Sequence, residues 1–164
     1  MLLSTALPAQ VPPSLRSPQM IYRHDFLGRA KAVLSNAYVF EAVDLENTKP
    51  SNYYYTNQAA WDTGAEITMV SRRVVDALHL KPISKTTIMG IGGDEEVEVF
   101  QIHVGLPNGF LYEDLIVYCG DIDDYDILIG MDLISLSDFF LTYIEGKTRF
   151  CFQMPATGRI DGEM

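Results

Sequence analysis

The sequence predicts a mainly β domain, closed or sandwich-like, with two short helices. Three observations predict it. Short runs of aromatic and β-branched residues recur from Ala37 to Met154. Turn signals separate them: KPSN at 49–52, PNG at 107–109 and EGK at 145–147. Helical patterns are few and short, the clearest being SRRVVDALHL and MDLISLSDF.

Taken in order, residues 1–20 carry Pro8, Pro12, Pro13 and Pro18 and few periodic apolar positions, as in an extended arm. Residues 21–34 carry a weak helical pattern. AYVFEAVDLE from Ala37 and YYYTNQAAW to Trp61 read as a strand pair around the KPSN turn. WDTGAEITMV is a strand, a polar loop and a returning strand. In the following helix Val74, Val75 and Leu78 share one face, Ser71 is the expected N-cap and Pro82 the stop.

TTIMGIGGDEEVEVFQIHVGL gives two strands around a tip at Gly90, Gly92 and Gly93. Its apolar phase changes between Val99 and Phe100, which requires either a bulge there or cover on both faces. FLYEDLIVYC is the next strand, DIDDYD a solvated acidic loop, and DILIG a short buried strand. FFLTYIEGKTRFCFQM closes the domain as a hairpin. The expected organisation is an arm over 1–36, a domain over 37–154 and a loose tail over 155–164.

Composition excludes several classes. A chain of 164 residues suits one domain, and its formal charge of −10 opposes non-specific nucleic-acid binding. Hydrophobic residues make up 48%, too many for a disordered chain. No apolar run approaches the ~20 residues of a membrane span. The start lacks a basic n-region, so it is read as no signal peptide. Cys119 and Cys151, both in apolar runs, fit buried reduced thiols rather than a disulfide framework or zinc site. A soluble cytoplasmic protein is expected, with no membrane or nucleic-acid partner and no metal. The histidines His24, His79 and His103 have no ligand spacing, and 121–126 lacks the glycine and closing glutamate of a calcium loop.

The residue that needs explaining is Asp62, set between Ala59-Ala60-Trp61 and Thr63-Gly64-Ala65. Alone it reads as a turn aspartate. In order along the chain, however, stand AAWDTGA, then Ile91-Gly92-Gly93, then Ile127-Leu128-Ile129-Gly130-Met131-Asp132. This series resembles the retropepsin-like aspartic proteases over 37–154, in particular bacterial, phage-borne and cellular members. The resemblance implies an all-β acid-protease half-barrel that works as a homodimer on extended polypeptides without a cofactor. It implies Asp62, Thr63 and Gly64 as the catalytic triplet, Thr63 bonding across the dimer axis. It implies substrate contacts at Ala65, Glu66, Ile91, Gly92, Gly93 and Ile129, with a glycine-rich flap at 90–93 and Ile129 and Gly130 beneath the catalytic loop. Met131 stands where retroviral members often carry arginine, which removes the expected partner of Glu66.

Chemistry leads to the same dimer. Peptide hydrolysis by water needs one group to take a proton and another to give one, and two carboxylates sharing a proton do both. This chain has one Asp-Thr-Gly. Its other aspartates sit in unlike settings, so the second carboxylate must come from a second copy across a two-fold axis. The alternative is a non-catalytic dimeric module of the same fold, one that binds peptides in the same groove or serves in assembly.

Overall fold

Residues 20–90, 93–122 and 124–156 are described by the structure, a computed structural model. In chain order the elements are β1 (Met20–Asp25), β2 (Val33–Glu41), β3 (Tyr53–Trp61), β4 (Met69–Val70), α1 (Arg72–Leu78), β5 (Ser84–Gly90), β6 (Gly93–Gly105), β7 (Leu111–Cys119), β8 (Ile127–Ile129), α2 (Met131–Ile134), β9 (Asp138–Ile144) and β10 (Lys147–Met154). The chain is all-β with two short helices, as its residue pattern predicts.

Seven strands form one sheet in the order β2-β3-β8-β4-β7-β6-β5, and β2 also pairs with β6. That extra pairing turns the sheet back on itself and encloses Ala37, Val39, Ile102, Val104, Leu115 and Val117, all with 0% exposure. Burial of this β-branched and aliphatic interior drives the closure. β6 is long enough to serve two partners, β5 over Gly93–Val99 and β2 over Ile102–Gly105.

The second sheet, β1-β10-β9, has three strands. Trp61 joins it to the first: its ring lies 5.2 Å from Phe150, 4.6 Å from Phe152 and 5.9 Å from Phe139. Its indole N–H donates to Ser35 Oγ at 2.9 Å, so this large side chain is buried with its polar atom satisfied. Because Trp61 directly precedes Asp62, the two sheets meet beside the candidate site.

Three expectations change. The helical pattern over 21–34 is overridden: Met20–Asp25 pairs with β10, and β2 begins at Val33, inside the expected arm. Residues 26–30 are also tied down, Thr148 accepting from Phe26 N–H at 2.9 Å and from Ala30 N–H at 2.9 Å. The first helix ends at Leu78, before Pro82, because His79 takes the left-handed conformation (φ 52°). The register of β6 against β7 is regular through Val99–Phe100 and shifts only between Ile102 and Val104. Both faces are therefore covered at Val99 and Phe100, the second of the two options their phase left open.

The closing hairpin turns at Glu145 (φ 50°) and Gly146 (φ 76°), the positive-φ pair that tight two-residue turns require. Cys119 and Cys151 are buried free thiols. Among the described residues no helix is long and apolar enough to cross a membrane.

Candidate active site

Asp62 leaves the end of β3 where that strand runs parallel to β8, Trp61 opposite Ile129. Its backbone N–H donates to the Ile129 carbonyl at 2.9 Å, so the strand ladder continues one residue into the loop. The carboxylate is half-buried. Its Oδ1 accepts from the Gly64 N–H at 2.8 Å, and its carbonyl accepts from the Ala65 N–H at 3.3 Å. This is the local turn that Asp-Thr-Gly favours. A Cβ on Gly64 would lie 3.1 Å from that same Oδ1, tighter than ordinary contact. Glycine thus lets the backbone donor approach the acid.

Behind the loop, a second layer fixes residues 65–68. The Met131 and Asp132 N–H groups donate to the carbonyls of Ala65 (2.8 Å) and Glu66 (3.1 Å). Thr68 donates to Asp132 twice, from N–H to Oδ2 at 2.9 Å and from Oγ1 to Oδ1 at 2.6 Å. Thr68 Oγ1 in turn accepts from the Gly130 N–H at 3.1 Å. Burial raises the pKa of Asp132, against the lowering effect of the bonds it accepts from Thr68 and from its own helix. Gly130 is required here by space: a Cβ would stand 2.7 Å from the Ile67 carbonyl carbon and 2.9 Å from its oxygen. Nothing in a single-sequence reading beyond ILIGMD itself singles out Thr68 and Asp132 as this brace.

Other expected residues fall as follows. Thr63, Gly64 and Glu66 are exposed around the loop and Ala65 is half-buried. Ile129 has 0% exposure, so its side chain supports the loop from below and is closed to substrate in the protomer. Gly93 pairs with Gly90 at the end of the β5–β6 hairpin and has φ 111°, open to glycine alone without strain. Ile91 and Gly92, the expected substrate contacts of the tip, lie outside the described residues. Ion pairs Arg72–Glu98 (2.6 Å) and Lys85–Glu96 (2.8 Å) tie the hairpin to α1 and hold its two strands together.

The acidic loop is less solvated than its composition suggests. Asp126 has 8% exposure, accepts from Thr56 Oγ1 at 2.6 Å and from Arg73 Nε at 3.1 Å, and anchors the start of β8. Chemically, the Asp62 loop presents one carboxylate, oriented by the Gly64 N–H, with an open side. One such group takes or gives a proton but cannot do both at once.

No family model matches the sequence, and no curated relative matches it. Among solved structures the chain is similar to a retropepsin-like aspartic protease from Rickettsia conorii. That likeness has a TM-score of 0.49 at 14% identity, covering 84% of this chain and 97% of that one. It is also similar to EIAV protease complexed with the inhibitor HBY-793, with a TM-score of 0.44 at 18% identity, covering 64% of this chain and 86% of that one. In each case the likeness is one of fold.

Proposed function

We propose that this chain is half of a retropepsin-like aspartic endopeptidase, with Asp62 from each of two copies forming the catalytic pair. The observation that carries the reading is the seating of Asp62: a half-buried carboxylate held by the Gly64 N–H and locked to β8 through Ile129. The Gly64 bond is one that any turn aspartate makes; the long-range tie to the Ile129 carbonyl at the end of the parallel β3–β8 pair is what sets this one apart. Brought to about 3 Å across a two-fold axis, two such groups cannot both ionise. One then takes the proton of the attacking water while its partner donates to the peptide carbonyl.

The elements next to Asp62 must then meet their copies, which points to the β1-β10-β9 sheet that packs on Trp61. An extended polypeptide lies between the paired loops and the β5–β6 hairpin, which closes over it as a flap and excludes water. Asp62→Asn tests the reading. Unchanged circular dichroism and melting, with loss of cleavage of a peptide library, supports it. Full cleavage by the variant overturns it, and a wild-type chain that binds but never cleaves peptides favours the non-catalytic module.

A further inference from the structure

A cavity of about 510 Å³ opens between β6, residues 119–122 and the start of α1. Its size falls within the roughly 300–1,000 Å³ of ordinary ligand pockets. The strand pattern leaves room for it. β7 ends at Cys119, opposite Glu98, whereas β6 extends past that pair to Gly93. Residues 93–97 of β6 therefore have β5 on one side and no strand on the other.

The charges lining the cavity do not balance. Arg72 is paired with Glu98 at 2.6 Å and Arg73 with Asp126 at 3.1 Å. Glu96 is paired with Lys85 at 2.8 Å. Glu95 and Asp121, both exposed, line the same cavity and have no ion-pair or hydrogen-bond partner among the described residues. Both lining cations are thus occupied, and two carboxylates are left over. Ser71 adds an unused acceptor. It lines the cavity at 6% exposure, and its buried Oγ has no partner among the described residues. A buried hydroxyl without a partner is uncommon, and its lone pairs suit an N–H donor. Surplus carboxylates and an idle acceptor together fit a group that is positive and rich in N–H, an ammonium or a guanidinium. Among the described residues no three His, Cys, Asp or Glu side chains are grouped to hold a metal ion, so an organic cation is the better match.

We infer that this cavity is the subsite for a lysine or arginine side chain of the polypeptide substrate. On the reading of the β5–β6 hairpin as a flap, on which this rests, a chain lying beneath the hairpin passes the unpaired edge of β6, where Glu95 stands. An extended chain turns alternate side chains to one side. A basic one enters between Glu95 and Asp121 with its nitrogen toward Ser71 Oγ. Either residue has a stem long enough to place its charge there while the main chain stays outside.

The test measures binding, not cleavage, on full chains carrying Asp62→Asn, so a protein without protease activity still gives an answer. Peptides with lysine at one position are compared with the same peptides carrying norleucine, which keeps the stem and lacks the charge. Free n-butylammonium is titrated alongside and read from the amide resonances of Ser71 and Gly120. Lysine peptides are expected to bind about tenfold tighter than their norleucine counterparts. n-Butylammonium is expected to shift both amides. The Glu95→Gln/Asp121→Asn double variant loses both effects while its affinity for norleucine peptides stays at the parent value. Equal affinity for the two peptide series overturns the inference and leaves the flap reading standing; amide shifts in that case mark a pocket for free amines only. A lysine preference that survives the double variant also overturns it, because the charge is then read elsewhere. Peptides of neither series binding overturns the inference and the flap reading together.

Discussion

Thr68 and Asp132 are joined twice, main-chain N–H to Oδ2 at 2.9 Å and Oγ1 to Oδ1 at 2.6 Å, although 64 residues separate them in the chain. The pair clamps α2 against the segment that follows the candidate catalytic loop. It also places a carboxylate in a largely buried position.

That burial gives the pair a pH signature. Burial raises the pKa of Asp132, so the folded protein keeps a proton that the unfolded chain has released. The stability tied to this group is complete below the unfolded value and is lost as pH rises through the folded one. Asp132→Asn lacks that slope and turns an amide N–H toward a bond now accepted by a carboxylate oxygen. Its expected cost is about 1–3 kcal/mol in acid, narrowing as pH rises above the ordinary carboxylate range. Urea melts of both proteins from acid to neutral pH measure it; a gap that widens with pH contradicts it.

Gly130→Ala addresses the same junction sterically. The new methyl meets backbone on three sides, Ile67 C at 2.7 Å, Ile67 O at 2.9 Å and Ala65 O at 3.0 Å, with no flexible side chain to yield. Overpacking of this kind costs about 1–3 kcal/mol. The loop carrying Asp62 must also shift, so peptide cleavage falls further than stability alone accounts for. Thermal melts and cleavage rates measured below the melting transition separate the two effects, and wild-type values in both refute the prediction.

Ser71 behaves unlike the helix cap its position suggests. It occupies the N-cap of α1 with extended backbone, yet makes no side-chain cap bond, and its buried Oγ has no partner among the described residues. A capping serine loses about 1 kcal/mol on change to alanine. Here Ser71→Ala is expected to leave stability unchanged or raise it, because a buried hydroxyl without a partner is removed. Chemical denaturation reads the difference, and a loss near the capping value contradicts it.

The parts legible in the sequence are those set by local chemistry. The Glu145–Gly146 turn, the β-branched and aromatic run from Ala37 and the apolar face of α1 each follow from residues a few positions apart. What was not legible depends on distant partners. MIYRHD at 20–25 becomes a strand because β10, more than a hundred residues on, presents Arg149 to Asp25 and Phe152 to Tyr22. Asp126 looks like one more acid in a polar loop until Thr56 and Arg73 are brought to it. The candidate site divides the same way: Asp62, Thr63 and Gly64 announce themselves as a motif, while the Thr68–Asp132 brace exists only once β8 lies between β3 and β4.

A mixing experiment puts the shared centre to its most direct test. Wild-type chain is equilibrated with a threefold excess of Asp62→Asn chain, under conditions where copies exchange, and cleavage is measured per wild-type chain. If each chain supplies one of two required carboxylates, activity falls to about one quarter, the chance that a wild-type chain meets another. Cleavage per wild-type chain that stays constant as the variant is added would show that one copy suffices.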